Sequence, residues 1–334
     1  MSVPILANPT HLGNDLSPRA DPDTLAPLDI PSTPWEHYQR PFVRDLAYAL
    51  ACPPILTTWV NHQPLLNAPT VILHSAEFWQ QQFASYQPRL HELDNTQGYQ
   101  ALTRFLMTRP SPYRLGFHFE GLIHFWLIDG FALNLHPFEV LAHNVQLYQG
   151  KQTTGELDYI LRNHDTGEIE HWELAIKFFL GSPPYTFADW VGMNSRDNLE
   201  RKMTHMQSKQ FRSIWVDVSG HESGKAKVKI DKRIAVIKGR FFKPVTDNGF
   251  VRPQWLTPNF PLHDWINGED TEQLNKLDMS ILRRAHYVEW FTKRPFYDER
   301  PSPLHWSKDS PPETGLYFEG NRPLVIYRDK SSDK

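Results

Sequence analysis

Two carboxylates and a lysine stand where they could act together on a phosphodiester. Asp158 lies in GELDYILRN (155–163), and Glu173 and Lys177 lie in EIEHWELAIKFFL (168–180). The two stretches alternate like strands, and the HDTG between them suits a tight turn, because Asp and Gly accept its backbone angles. If His164 and Gly167 close that hairpin, Asp158 stands opposite Glu173, and directly opposed residues project to the same face. A slip of one residue would turn Asp158 away. Metal-assisted phosphodiester cleavage needs carboxylate oxygens for a hard cation such as Mg²⁺. It also needs a positive charge beside the attacking water or the developing phosphorane. A solvated polar sheet face closed by a salt bridge would use the same residue types. Two features favour the site. The other face of the third strand, Trp172, Leu174, Ile176 and Phe178, is strongly apolar, and a helix carrying Glu120 directly precedes the strands.

Other residues could join this group. Glu156 shares the Asp158 face and His171 shares the Glu173 face. The helix expected over Asp197–Gln210, capped by Ser195, carries Lys202, Gln207, Lys209 and Gln210. Lys225, Lys227 and Lys229 alternate, so all three can face one way as a phosphate-contacting strip, although a solvated loop looks the same in sequence. GHESGKA has the wrong spacing for a phosphate-binding P-loop. His118 and His124 are six apart and do not share a helix face, so no zinc site is read from the 16 histidines. There is no G-x-S-x-G elbow, and the single cysteine, Cys52, reads as a small buried hydrophobe. The 11 tryptophans could form a stacking platform, but core packing is the commoner use.

The elements that must position these residues follow from periodicity. Residues 1–34 hold seven of the 28 prolines and no apolar period, and are expected to be a mobile tail. Residues 35–110 read as a helical lobe: Phe42, Leu46 and Leu50 recur at four-residue spacing, Ser75 caps AEFWQQQFASY, and Pro88 ends or kinks that helix. A helix over Tyr113–Ile128 gathers Leu115, Phe119, Leu122, Ile123 and Trp126 on one arc, with Glu120 at its margin. Three strands, a helix and the strand RIAVIKGRFF complete a core over 111–245. Residues 246–334, with nine more prolines after Phe250, read as an irregular appendage with one helix near Asp278–Thr292. The fold class expected is α/β, a mixed sheet flanked by helices. Across 334 residues the formal charge is −3, which excludes a globally basic nucleic-acid binder but not a local basic groove. No apolar run approaches the roughly 18–20 residues of a membrane helix. The first residues lack a signal peptide's pattern, so a cytoplasmic protein is expected.

At this point the chain resembles a bacterial family of unknown function placed within the PD-(D/E)XK nuclease-like superfamily. The resemblance rests on RPFVRDLAYAL, LGFHFEGLIHFWL, TTGELDYIL, HWELAIKFFLG and NSRDNLERK, spread over most of residues 40–245. It implies a restriction-endonuclease-like core of a helix, three strands, a helix and a strand. It also implies that Glu120 matches the acid of the first core helix, Asp158 that of the second strand, and Lys177 the lysine of the third. Polar residues on the following helix, here Lys202, Gln207, Lys209 and Gln210, often touch the site or the phosphate backbone in that superfamily. The departure is Ala175, which fills the slot two before the lysine where an acid is usual; Glu173 or Glu156 is the replacement. The expected function is a nuclease acting on DNA or RNA with one or two Mg²⁺ or Mn²⁺ ions, held by Asp158 and Glu173 with Glu156 in reserve. The alternatives are a decayed nucleic-acid-binding or complex-forming relative, and a carbohydrate-active hydrolase using Asp158 and Glu173.

Overall fold

The computed structural model describes residues 33–61, 69–109, 111, 114–149, 152–194, 196–219, 227–298, 306 and 312–328. The expectations for residues 1–32, Ser195 and Lys225 lie outside the described residues.

Four helices come first. Helix α1 (Pro41–Ala51) starts on a proline, whose fixed φ suits a first turn, and ends before Pro53-Pro54. Helix α2 (Ala76–Asn95) is capped by Ser75, whose Oγ accepts from the Phe78 N–H at 3.2 Å. Of the two outcomes expected at Pro88, an end or a kink, the helix does not end there: burial of Trp79, Phe83, Tyr86, Leu90 and Leu93 along one face outweighs the roughly 3 kcal/mol cost of an interior proline. Helix α3 (Tyr99–Met107) is short, and α4 (Leu115–Ala132) carries Glu120.

The strands then build one mixed sheet. They are β1 (Phe138–Gln149), β2 (Gln152–Asn163), β3 (Ile169–Gly181) and β4 (Trp190–Gly192), with β7 (Lys232–Pro244) after an excursion. The excursion comprises α5 (Leu199–His205) and the hairpin β5 (Trp215–Asp217) and β6 (Lys227–Lys229). Sheet order is β1-β2-β3-β7, with β3 and β7 parallel and β4 pairing antiparallel to β3. The segment after Phe250 does not form the helix expected near Asp278–Thr292. Its residues make β8 (Leu262–Asn267), the short α6 (Thr271–Leu274), β9 (Leu282–Arg284) and a 3₁₀ turn over Tyr287–Trp290, followed by β10 (Gly315–Glu319) and β11 (Arg322–Tyr327). These strands extend the same sheet as β7-β8-β11-β10-β9, with β8 parallel to both β7 and β11.

Strand β3 lies in the middle of this sheet and is covered on both faces. Trp172 meets Trp79, Trp126 and Phe138 at ring-centroid distances of 6.3, 6.4 and 5.1 Å, while His171 on the other face meets Phe211 at 5.2 Å. Among the described residues, no helix is long and apolar enough to cross a membrane.

A buried acid ties the C-terminal segment to the helices. Asp45, 1% exposed, accepts from Thr292 Oγ1, from the Arg294 guanidinium and from His118 Nε2 at 2.9 Å. Burial opposes its ionisation, but Arg294 and His118 win and hold its pKa down at about 2. A folded pKa below the unfolded value stabilises the fold above pH ~4, and that contribution disappears as pH falls toward 2. Urea unfolding of the wild type should therefore show about 2 kcal/mol of stability lost between pH 4 and 2 that Asp45→Asn no longer shows. Superimposable pH profiles for the two proteins would refute this.

Candidate functional site

The hairpin forms in the predicted register, with Arg162 opposite Ile169 and Tyr159 opposite Trp172. One position further, where Asp158 would pair with Glu173, the backbone ladder stops and side chains replace it. The Asp158 N–H donates to Glu173 Oε1 at 3.3 Å, and the Leu174 N–H donates to Asp158 Oδ2 at 2.7 Å. Strand β4 does not join β3 until Phe179. Between Glu173 and Phe178 the edge of β3 on this side therefore has no strand against it, and the sheet has a notch whose inner end carries both carboxylates.

Glu173 is wholly buried and accepts from His171 Nε2 at 2.7 Å and from the Gln210 amide. His171 is itself fully buried, and burial takes its pKa down to about 3. The ring is thus neutral, and it orients Glu173 from within the core, with no exposed surface to offer a substrate. Gln210 reaches Glu173 because the chain after α5 winds into a π turn over Met206–Gln210, closed by the Phe211 N–H on the Met206 carbonyl at 2.9 Å. Such wide turns shift side chains off the regular helical faces, and they recur at functional sites.

The charges in the notch oppose one another. Burial and the neighbouring Glu173 push Asp158 well above the carboxylate range. Burial pushes Glu173 up to about 8 against the pull of Lys202. On α4, burial and Asp158 together raise Glu120 to about 7. The backbone carbonyl of Glu120 accepts from Tyr159 Oη at 3.0 Å, which fixes that turn of the helix over β2. The cation that senses both Asp158 and Glu173 is Lys202 on α5; burial lowers its pKa, and the two carboxylates oppose that shift. Helix α5 is capped by Asn198, whose side chain accepts from the Arg201 N–H at 2.8 Å.

Lys177 projects from the same face of β3, but its ammonium donates to Asp197 Oδ2 at 2.6 Å. Sequence periodicity places Asp197 only at the start of the helix expected over 197–210; in the structure it lies just before α5, and nothing in its spacing points to Lys177. Gly239 of β7 pairs with Lys177 at φ +143°, and a Cβ there would lie 1.7 Å from the Lys177 carbonyl oxygen. Only glycine allows this approach. Gly239→Ala should cost at least about 3 kcal/mol in denaturant unfolding, from the clash and the forbidden backbone angle together; a wild-type midpoint would refute it.

The remaining predicted residues lie further out. Glu156 is exposed and bonded to the Gln146 amide, yet its charge is felt by Asp158 and Glu120. Gln207 is buried, and its amide nitrogen has no partner among the described residues. Lys209 is exposed. Lys227 and Lys229 are exposed on the outer side of the separate β5–β6 hairpin, with Val228 turned inward between them. Ala175 is buried on the face that carries Glu173. Among the described residues, no three His, Cys, Asp or Glu side chains gather closely enough to cage a metal ion. A Mg²⁺ site needs less, because this ion keeps several waters and takes one or two carboxylates plus substrate phosphate. Asp158 and Glu173, adjacent and both raised by burial, are two such carboxylates.

The chain belongs to the family described as a domain of unknown function, DUF1853, whose model matches residues 44–301. No curated protein and no solved structure matches it.

Proposed function

We propose that this DUF1853 chain carries a PD-(D/E)XK-like core and is a divalent-metal-dependent nuclease acting on DNA or RNA. The observation that carries the reading is the notch, where two buried carboxylates share one sheet edge, burial raises both pKa values, and the charge of Glu173 makes ionisation of Asp158 harder still. Two like charges so close and so buried do not both ionise at neutral pH unless a cation accompanies them. The element order α4, β1 to β3, α5, β7 is consistent with the proposed core.

Asp158 and Glu173 would hold Mg²⁺ or Mn²⁺, with Glu120 at the margin as a further acid. A bound divalent ion supplies Lewis acidity toward a phosphoryl oxygen and lowers the pKa of bound water. The chain's own residues do the rest. The Leu174 N–H fixes Asp158 Oδ2, and His171 and Gln210 fix Glu173 from below, so neither acid needs to reorganise. Lys202 brings positive charge to the carboxylates. Lys177 and Asp197 line the cleft beyond them, where the nucleic-acid backbone would pass.

Titration calorimetry with Mg²⁺ and Mn²⁺, followed by cleavage assays on single- and double-stranded DNA and RNA, tests the reading. Absence of both metal binding and cleavage would overturn it. Ala175 in the usual acid slot and the capture of Lys177 by Asp197 favour one second reading, a nucleic-acid-binding relative whose catalytic site has decayed. That reading predicts binding without cleavage.

A further inference from the structure

The cleft that holds Lys177 and Asp197 has a volume of about 340 Å³, and it does not end at the notch. It shares Met193 and Trp290 with a larger cleft of about 620 Å³ under β9 and β10. This second cleft has a different chemistry. His286, Tyr287, Trp290 and Tyr297 supply its rings and Arg284 its available charge, Arg283 being paired with Glu289 and Asp298, and among the described residues no acid lines it. Accepting the nucleic-acid reading of the notch, we propose that this cleft is a stacking site for the unpaired bases of a single-stranded DNA or RNA segment leaving the notch.

Three observations support it. First, the rings are already in stacking geometry: His286 and Tyr297 lie at 5.2 Å and 23°, and Tyr287 is 40% exposed beside them. A base has two π faces and stacks on such rings whatever its identity. Second, the rim is built rigidly. Glu289, wholly buried, accepts two bonds from the Arg283 guanidinium at 2.8 Å and one each from the backbone N–H groups of His286 and Arg294. Binding there would not have to order the loop. Third, Arg284 is held by a solvent-exposed pair with Glu313 and a long bond to the Thr314 carbonyl at 3.3 Å, and such exposed contacts are weak enough to give way to a phosphate. A volume of about 620 Å³ lies in the usual range for ligand sites.

The test uses the full chain in EDTA, so that no cleavage occurs, with fluorescence anisotropy of labelled oligo-dT, oligo-rU and a DNA duplex. The wild type should bind the single strands more tightly than the duplex, and the two labelled strands separate a DNA from an RNA preference. Tyr287→Ala should weaken single-strand binding about 5- to 150-fold, the value of one stacked base, and Tyr287→Phe should restore it. Arg284→Gln should lower the slope of log affinity against log salt by about one. Thermal unfolding checks that each variant is folded, and the Phe and Gln variants remain informative if the Ala variant is not. Single-strand binding unchanged in both Tyr287→Ala and Arg284→Gln overturns the inference, as does a wild type that prefers duplex. Failure of the catalytic reading looks different: neither metal binding nor cleavage, with Tyr287-dependent binding of the single strand intact.

Discussion

Asp158→Asn should abolish Mg²⁺-dependent stabilisation and cleavage together, while the apo protein becomes no less stable than the wild type. The substitution keeps the shape of the side chain and an oxygen that can still accept from the Leu174 N–H, so the end of the hairpin is retained. It removes the anionic oxygen that a hard cation requires. It also removes the like charge that Glu173 imposes on Asp158 in the apo state. At a metal concentration of 100 times the dissociation constant, a ligand that binds only the native form stabilises it by about 2.7 kcal/mol. The wild type should therefore unfold several degrees higher with Mg²⁺ or Mn²⁺ than in EDTA, and Asp158→Asn should unfold at one temperature in both. Cleavage should fall by at least ~10³-fold, beyond the loss of a single oxyanion donor. A variant that keeps the metal-induced shift would remove Asp158 from the ligand set. A variant that loses stability in EDTA would mean that Asp158 is a structural acid.

The part of this site that was legible in sequence is the part governed by period and turn chemistry. HDTG fixed the hairpin, the two-residue alternation put Asp158 and Glu173 on one face, and the observed register runs as expected through Tyr159 and Trp172. The break at the next position is not periodic. It arises because two carboxylates take over the N–H groups that a ladder would have used, and alternation alone cannot distinguish a paired strand from one just leaving its neighbour. Asp197, just before α5, is hidden for the same reason: its contact with Lys177 is tertiary. The π turn after α5 moved Gln210 from a helical flank onto Glu173, and an ideal 3.6-residue period does not foresee that. After Phe250 the strands run only three to six residues among many prolines, too short for alternation to declare them. Their pairing depends on β7 offering its far edge to β8. Pro88 shows the converse, a local breaker overruled by the buried face of its helix.

The order of the two lysines is the sharpest remaining consequence of the geometry. Lys177 has the position along β3 that sequence favours for the charge-stabilising group, but it is bound to Asp197. Lys202 lies on α5, and it is the cation whose field most strongly opposes the rise in the Glu173 pKa. Lys202→Met keeps the length and apolar stem of the side chain and removes only the charge. It should cost about 10²–10³ in single-turnover cleavage rate, as for loss of one preorganised donor to a developing oxyanion. Mg²⁺-induced stabilisation should persist, because both carboxylates remain. Lys177→Ala removes a charge already neutralised by its partner, and should cost no more than about tenfold. Lys202→Arg should recover part of the rate, since the charge returns in a bulkier form. If Lys177→Ala is the severe variant and Lys202→Met is nearly silent, then Asp197 releases Lys177 when substrate arrives and the lysine of β3 stabilises the charge. Equal and small effects from both would leave the notch without the cation that phosphodiester cleavage requires, and would favour the decayed relative.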